Sequence, residues 1–379
     1  MWKVQLFKLN YDKRESEAVK EVVDSGWITM GEKTKEFEKN FASYLGNDIN
    51  ATAVSNGTAA LHMALLALNI KEGDEVIIPA LTFIADINVV RLVGATPILA
   101  DCKSYEDWNI SAKSIKEKIT NKTKAIIVVH FAGYPCDMDE IVSIAKEKNI
   151  ALIEDCAHAP GAKYKGISCG RFGEFGCFSF FTNKNLSVGE GGMIVTKDKK
   201  LDQQAKYFRS HGMTALTLDR HKGRAITYDV IQSGLNYRID EMRSALGVIQ
   251  LEKLPDANNQ REILVKEYHK LLKDTKKIKI PFLDIKDKKP SYHIYPILLD
   301  EDVDRVAVIE SMKADGIQTS IHYPAFKDFS AFKDIELNGT EIAYTISKRE
   351  LTLPLYPTMS LKQVKMVVDA LNKALGNGI

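Results

Sequence analysis

Two adjacent acidic residues follow an apolar run near the middle of the chain. The segment 150–158, Ile-Ala-Leu-Ile-Glu-Asp-Cys-Ala-His, predicts a buried strand that ends in Glu154 and Asp155. Open α/β sheets bind ligands beyond the carboxyl ends of their strands, and a buried carboxylate there needs a compensating partner. From position alone, the acidic pair could contact a ligand, cap a helix or bind a metal.

A lysine follows 29 residues after Asp155, in the segment 178–193 between two apolar runs. Lysine acts as a Schiff-base nucleophile where its surroundings favour the neutral amine. Gly189, Gly191 and Gly192 allow tight backbone geometry beside Lys184. Because a single loop lysine is usually just solvated, this residue gains meaning only from the segments around it.

The segment 54–61, Val-Ser-Asn-Gly-Thr-Ala-Ala-Leu, predicts a strand, a turn of small residues and the start of an apolar helix. Backbone N–H groups at such a helix N-terminus suit a phosphate, and the helix dipole adds to the attraction. The segment is neither a Walker A loop nor a G-x-G-x-x-G motif, and by itself it could be an ordinary helix cap.

The three segments together match the needs of pyridoxal 5′-phosphate. A lysine condenses with the aldehyde, a carboxylate keeps the pyridine nitrogen protonated, and a helix N-terminus holds the phosphate. The combination therefore predicts this cofactor, and no metal site is expected.

Apolar runs rich in Val and Ile alternate with longer helical patterns between about residues 50 and 200. The predicted strands are 51–55, 75–79, 96–100, 124–130, 150–154, 175–181 and 191–196, and the predicted helices are 57–69, 84–93, 111–119 and 138–148. This alternation is typical of βαβ units, so we predict an α/β fold with a mostly parallel central sheet flanked by helices.

The pattern changes after a predicted helix over 239–254 that ends at Pro255. The Lys-rich stretch 273–289 predicts a solvated turn or hairpin. Further predicted elements are strands at 291–299 and 317–323 and helices at 302–314 and 360–375. We therefore predict a large domain over 1–255, with an N-terminal arm over 1–12, and a small C-terminal α+β domain over 256–379.

Composition narrows the function classes. The 379 residues include 52 Lys plus Arg and 50 Asp plus Glu, a net charge of +2, which argues against a nucleic-acid-binding protein. No apolar stretch is long enough to span a bilayer, so no membrane partner is expected. The five cysteines form no C-x-x-C pair and predict buried free thiols in a reducing, cytoplasmic compartment.

Several motifs in order resemble the DegT-type sugar aminotransferases, which are fold-type I pyridoxal-phosphate enzymes acting on nucleotide-linked keto-sugars. The matching segments are Gly-Trp-Ile-Thr-Met-Gly at 26–31, Ser-Asn-Gly-Thr-Ala-Ala-Leu at 55–61, Pro-Ala-Leu-Thr-Phe at 79–83, the Glu-Asp segment, and the lysine segment with Gly-Glu-Gly-Gly at 189–192. One branch of that family carries histidine in place of the lysine and dehydrates sugars; Lys184 sets this chain apart from it.

The resemblance implies roles for individual residues. Lys184 is implied as the Schiff-base lysine and proton shuttle, and Asp155 as the partner of the pyridinium. The other implied cofactor contacts are Phe83 stacked on the ring, His158 near the 3′-oxygen, Gly57, Thr58 and Ser179 at the phosphate, and Asn236 reaching the phosphate from a neighbouring subunit. Thr29, Arg238 and His322 are implied as candidates for substrate contacts.

The implied reaction is transfer of an amino group from L-glutamate, which leaves as 2-oxoglutarate, to a keto-sugar nucleotide. The family favours a 4-keto-6-deoxy sugar, and the shared phosphate site implies a homodimer. Two alternatives stay open at this point. One is another enzyme of the same fold, such as an amino-cyclitol aminotransferase, an aminobenzoate-type synthase or a dehydratase. The other is a non-catalytic ligand sensor.

Overall fold

The computed structural model describes residues 1–214, 223 and 227–376, and in this part of the chain a seven-stranded sheet forms the centre. Its strand order is β1-β9-β8-β5-β4-β2-β3. The strands are β1 Asn50–Val54, β2 Glu75–Pro79, β3 Thr96–Ala100, β4 Thr123–Val129, β5 Ala151–Asp155, β8 Phe175–Ser179 and β9 Gly192–Thr196.

The sheet is parallel except at one strand. β3, β2, β4, β5 and β8 pair in parallel, whereas β9 runs antiparallel to both β8 and β1. The interior strands are buried along almost their whole length, which explains their continuous apolar sequences. The predicted mostly parallel α/β fold is confirmed.

Helices cover the sheet and extend the fold at both ends of the chain. They are α1 Lys13–Ser25, α2 Glu32–Leu45, α3 Gly57–Ala67, α4 Ile84–Leu92, α5 Ala112–Lys118, α6 Met138–Lys148, α7 Lys199–Arg209, α8 Glu241–Leu272, α9 Arg305–Ala314, α10 Glu341–Arg349 and α11 Leu361–Ala374. Several begin at side-chain caps, as expected from their Ser, Asn and Asp residues. At α3, for example, the Asn56 side chain accepts the Ala59 N–H at 2.8 Å.

Helix α8 contradicts the prediction that a helix ends at Pro255. It continues to Leu272, with the proline in its interior. A proline there costs about 3 kcal/mol because one hydrogen bond is lost and the ring crowds the preceding turn. Packing against α1, α2 and α11 holds both halves of α8 and outweighs this local cost. The predicted domain boundary at residue 255 falls inside this helix, and the division into two domains stays a prediction.

Two smaller sheets lie outside the central one. The first has the order β10-β12-β13, with β10 Ile278–Lys279, β12 Tyr295–Leu299 and β13 Glu350–Leu353. The second has the order β11-β6-β7, with β6 Lys163–Tyr164, β7 Ile167–Ser168 and β11 Lys288–Lys289. The predicted strand over 317–323 does not form. Ile317 and Ser320 make only isolated bridges, to Val4 and Thr352.

The Lys-rich stretch 273–289 is neither a hairpin nor fully solvated, so the prediction of a solvated turn or hairpin is wrong. β10 pairs with β12, whereas β11 pairs with β6, so the two ends of the stretch join different sheets. Lys288 is nearly buried, and its Nζ lies 2.8 Å from Asp137 and 3.3 Å from Asp107. These two carboxylates compensate the buried ammonium, which the charge pattern alone could not reveal.

The C-terminal region is tied to α8 by a buried arginine. The guanidinium of Arg261 donates to the carbonyl oxygens of Leu355 and His293 at 3.0 Å and of Tyr292 at 3.3 Å.

All five cysteines are buried free thiols, as predicted. Among the described residues, none of the helices has the combination of length and apolar character that crossing a bilayer requires.

Candidate active site

A cavity of about 590 Å³ opens at the carboxyl ends of β4, β5 and β8. Eight residues singled out from the sequence line it: Gly57, Thr58, Phe83, Asp155, His158, Ser179, Lys184 and His322. They come from separate segments of the chain and meet because the parallel strands all end at this edge of the sheet. The structure therefore assembles the predicted lysine, carboxylate and helix N-terminus in one place.

The N-terminus of α3 forms one end of the cavity. Gly57 and Thr58 are the first residues of this helix, where backbone N–H groups have no partner within the helix. A side chain at Gly57 would put its Cβ 2.8 Å from the Cβ of Ser179. Glycine is therefore required for the close approach of α3 to β8, and this approach places the Ser179 hydroxyl beside the helix end.

Lys184 lies in the turn between β8 and β9, where its N–H donates to the carbonyl oxygen of Phe181 at 2.8 Å. Burial lowers the pKa of its ammonium to about 8, although the charge of Asp155 acts in the opposite direction. With this pKa, about a tenth of the molecules carry Lys184 as a neutral amine at pH 7, far more than for an ordinary lysine. Lys184 meets the requirement for a nucleophilic amine.

Asp155 is the last residue of β5 and is buried at the floor of the cavity. Its Oδ1 accepts the Ala157 N–H at 2.8 Å. Burial raises the pKa of the Asp155 carboxyl, whereas that hydrogen bond and the charge of Lys184 lower it. A cationic group bound in the cavity would favour the ionised form of this carboxylate.

His158 makes two hydrogen bonds that define its tautomer. Its Nδ1 accepts the Ala132 N–H at 3.2 Å, and its Nε2 lies 3.0 Å from the hydroxyl of Tyr323. Because Nδ1 accepts, Nε2 carries the proton and donates to Tyr323. Burial lowers the pKa of His158 well below its ordinary value, so the ring is neutral. The predicted contact of His158 with the cofactor 3′-oxygen stays a prediction.

The ring of Phe83 lies at the cavity wall and is 50% exposed, with its centroid 5.5 Å from that of Tyr323. An aromatic side chain that is half exposed inside a cavity has a free face on which a flat ligand can stack. The position suits the predicted stacking role, which stays a prediction.

Three predicted site residues lie outside the cavity of their own chain. Thr29 and Asn236 are exposed, and Arg238 is partly buried; burial, and to a smaller extent the charge of Arg209, lowers the pKa of its guanidinium. None of the three is among the residues that line the cavity. Asn236 was predicted to serve a neighbouring subunit, and this role remains a prediction.

Glu154, the neighbour of Asp155, has a structural role. Its two carboxylate oxygens accept the N–H groups of Gly170, Phe172 and Gly173 at 2.7–3.0 Å. Oε2 also lies 3.0 Å from Nε2 of His130. Glu154, His130 and Cys156 place possible metal ligands within 4.8 Å of one another, but the carboxylate is already saturated by these donors.

Other cavity residues were missed in the sequence. Tyr323, Tyr237 and Asn183 line the cavity. Asp86 is fully buried next to it, with Oδ2 accepting the Thr82 hydroxyl at 2.6 Å. Burial, and to a smaller extent the charge of Asp155, raises the pKa of the Asp86 carboxyl well above its ordinary value, which favours the neutral acid. Tyr323 could have been suspected because it follows His322 directly, but Asp86 occupies an ordinary helical position and carries no such signal.

The cavity fits pyridoxal phosphate. It offers a partly neutral amine at Lys184, a buried carboxylate at Asp155, and at Gly57 a helix N-terminus without a side chain to block an anion. These groups match the aldehyde, the ring nitrogen and the phosphate in chemical type.

Comparisons with known proteins agree with this geometry. The sequence model of the DegT/DnrJ/EryC1/StrS aminotransferase family matches residues 10–372. GDP-perosamine synthase of Escherichia coli O157:H7 is 39% identical over 366 residues, which are 95% of each chain. The solved structure of Helicobacter pylori PseC, an aminotransferase involved in the biosynthesis of pseudoaminic acid, is 28% identical and superposes with a TM-score of 0.89 over 100% of both chains. S. venezuelae DesV is 30% identical, with a TM-score of 0.90 over 99% of both chains.

Proposed function

The chain belongs to the DegT/DnrJ/EryC1/StrS aminotransferase family and is a pyridoxal-phosphate-dependent transaminase, and from this premise we propose that it transfers an amino group from L-glutamate to a nucleotide-linked keto-sugar. The observation that carries the proposal is the position of Lys184, whose pKa is lowered to about 8, in one cavity with Asp155 and the N-terminus of α3. The name of the perosamine synthase supports a sugar nucleotide as acceptor. We propose a 4-keto-6-deoxy sugar.

Pyridoxal phosphate, when bound, supplies an aldehyde that condenses with amines and a ring that accepts the electrons of a broken C–H bond. Gly57, Thr58 and Ser179 would hold its phosphate, and Phe83 would hold the face of its ring. Asp155 would supply the carboxylate that keeps the ring nitrogen protonated. This arrangement makes the cofactor an effective electron acceptor.

Lys184 performs the proton transfers in both half-reactions. Its Nζ would take up the proton released from the α-carbon of glutamate; the amino group would stay with the cofactor, and water would supply the keto oxygen of the departing 2-oxoglutarate. The same nitrogen atom moves a proton in the reverse sense when the keto-sugar is aminated. A pKa near neutrality suits an amine that must both accept and donate a proton.

We also propose a cytoplasmic homodimer with shared active sites. Thr29, Asn236 and Arg238 lie outside the cavity of their own chain, where they are available to a partner's site. The five buried free thiols suit a reducing compartment.

The decisive experiment is an assay with separate half-reactions. Protein loaded with pyridoxal phosphate is mixed with L-glutamate, freed of 2-oxoglutarate, and then incubated with UDP-, GDP- and dTDP-linked 4-keto-6-deoxy sugars. An aminated sugar nucleotide formed in the second step, identified by mass spectrometry and NMR, supports the proposal. Release of 2-oxoglutarate without amination of any keto-sugar would redirect it to a cyclitol or another ketone.

A further inference from the structure

The strand β13 carries two polar residues on one buried face beside the active site. Glu350 and Thr352 are two positions apart, so both side chains point to the same side of the strand, while Leu351 and Leu353 point into the apolar core. Both polar side chains are fully buried. The segment that contains His322 runs alongside, joined through the backbone of Ser320 and Thr352.

These side chains form a continuous hydrogen-bonded chain that ends in the cavity. Oε2 of Glu350 accepts the N–H of His322 at 2.6 Å, and Oε1 is hydrogen-bonded to the Thr352 hydroxyl. The hydroxyl oxygen lies 2.8 Å from Nδ1 of His322. His322 lines the cavity.

The direction of the proton on Thr352 decides what His322 offers to a ligand, because a hydroxyl has a single proton to donate. If the hydroxyl donates to an ionised Glu350, its oxygen accepts Nδ1–H of His322, and Nε2 keeps a free lone pair. If Glu350 carries a proton and donates to Thr352, the hydroxyl donates to Nδ1, and the imidazole proton lies on Nε2.

We propose that Glu350 and Thr352 are positioning residues that set the tautomer of His322, so that the ring accepts a hydrogen bond when Glu350 is ionised and donates one when Glu350 is protonated. The hydrogen-bonded chain of Glu350, Thr352 and His322 (the relay) matters for catalysis only if the cavity is the reaction site proposed above. The tautomer itself is a property of the protein and can be measured without turnover.

The surroundings shift the pKa values of Glu350 and His322 so that both neutral tautomers of His322 are accessible. Burial raises the pKa of Glu350 to about 8, against the effects of Thr352, the His322 N–H and Arg305. Burial, assisted by Lys184, lowers the pKa of His322 to about 3, so the ring stays neutral and only its tautomer changes.

Arg305 of α9 faces Glu350 and donates to its carbonyl oxygen at 3.1 Å. In the described part of the chain, the ionisable groups near the relay also include Lys184, His158, His293 and Tyr323. The charge of Glu350 contributes to the raised pKa of Tyr323, for which burial is the main cause.

The test follows the ring carbons of His322 by NMR in full-length protein labelled with [13C]histidine, because their shifts distinguish the two neutral tautomers. The His322 signal is assigned by its loss in His322→Gln. In the unmodified chain, we expect a change from the Nε2–H to the Nδ1–H form between about pH 6 and about pH 10. The signal of His62, whose Nδ1 is bonded to Tyr237, serves as the internal control.

The variants make the test specific. In Glu350→Gln, the amide oxygen takes the His322 N–H and the NH₂ group donates to Thr352, so the Nε2–H form should persist at every pH. Thr352→Ser should keep the change with pH, and Thr352→Val should uncouple it from Glu350. A His322 tautomer that stays constant in the unmodified chain, or one that still changes in Glu350→Gln, would overturn the proposal. Failure to aminate a keto-sugar would leave these signals untouched.

Discussion

The Nε2–H of His158 donates to the hydroxyl of Tyr323, which lies 3.0 Å away at the wall of the cavity. Since Nδ1 of His158 already accepts the Ala132 N–H, the imidazole has no alternative way to satisfy its proton. The hydroxyl of Tyr323 therefore remains able to donate its own proton to a ligand, and the hydrogen bond from His158 fixes its orientation.

Replacing Tyr323 by Phe should destabilise the protein by roughly 1–3 kcal/mol, because a buried N–H loses its acceptor. The matched control is Tyr295→Phe. The hydroxyl of Tyr295 is buried without a hydrogen-bond partner in the described part of the chain, so its removal should leave stability unchanged or slightly higher. Urea unfolding of both variants without cofactor measures the difference. Equal stability of the two would contradict the proton assignment of His158.

Replacing Lys184 by Met should stabilise the cofactor-free protein at neutral pH by on the order of 3 kcal/mol, because burial disfavours the ammonium. The pKa of Lys184 is lower in the folded state than in the unfolded state. The cost is therefore constant below about pH 8, and it fades as the pH rises towards the unfolded value near about 10.5. Urea unfolding of both proteins at several pH values should show the stability gap closing with rising pH.

The Lys184→Ala variant should lose the visible absorption of the lysine-bound cofactor and the half-reaction with glutamate. Lys165→Ala is a suitable control, since Lys165 is exposed and paired with Asp139. Absorption spectra and release of 2-oxoglutarate give the two readouts. Persistence of both in Lys184→Ala would remove this lysine from the mechanism.

Asp155→Asn should act in opposite directions on the free and the cofactor-bound protein. Without cofactor, the variant avoids a buried carboxylate and should be at least as stable as the parent. With cofactor, it loses the partner of the ring nitrogen, which should cost about 3–5 kcal/mol in affinity, in rate or in both. Thermal unfolding with and without pyridoxal phosphate, together with the glutamate half-reaction, tests both the expected stability without cofactor and the expected loss with cofactor. Normal cofactor binding and turnover would exclude Asp155 as the partner.

Gly57→Ala should destabilise the free protein, because α3 and β8 must move apart, and it should also weaken binding of pyridoxal phosphate. The added Cβ would lie 2.8 Å from that of Ser179 and narrow the proposed phosphate site, although alanine suits a helix. Titration with pyridoxal phosphate and with pyridoxal, which lacks the phosphate, separates the two effects. The double variant Gly57→Ala, Ser179→Gly removes the clash and should recover stability, but not the affinity that depends on the Ser179 hydroxyl. Unchanged phosphate binding in the single variant would place the phosphate elsewhere.

A mixed dimer should reveal whether subunits share their sites. Lys184→Ala and Asn236→Ala homodimers are each expected to be inactive or severely impaired. If Asn236 serves the neighbouring subunit, a dimer with one chain of each kind contains one site with both residues intact. Mixing differently tagged chains and purifying the hybrid should recover activity, to about half that of the parent per dimer. An inactive hybrid would place Asn236 and Lys184 in the same chain's site.

The sequence predicts the central sheet well because βαβ units combine a simple apolar pattern with a fixed topology. Asp155 and Lys184 could be identified because their chemistry is distinctive and both follow predicted strands. The path of α8 through Pro255 could not be predicted, since the packing that opposes the local proline cost comes from α1, α2 and α11. The same holds for Lys288 and for Glu350. Their partners are distant in sequence, and a single sequence carries no signal of the pairing.

Helix α8 is long enough to contact both ends of the chain. Its 32 residues extend over roughly 48 Å, at about 1.5 Å per residue. One half packs beside α1 and α2, and Arg261 in the other half clamps the carbonyl groups of the C-terminal region. The helix is therefore part of the packing at both ends of the chain. Because α8 packs against both ends of the chain, we expect both ends to unfold in one cooperative transition.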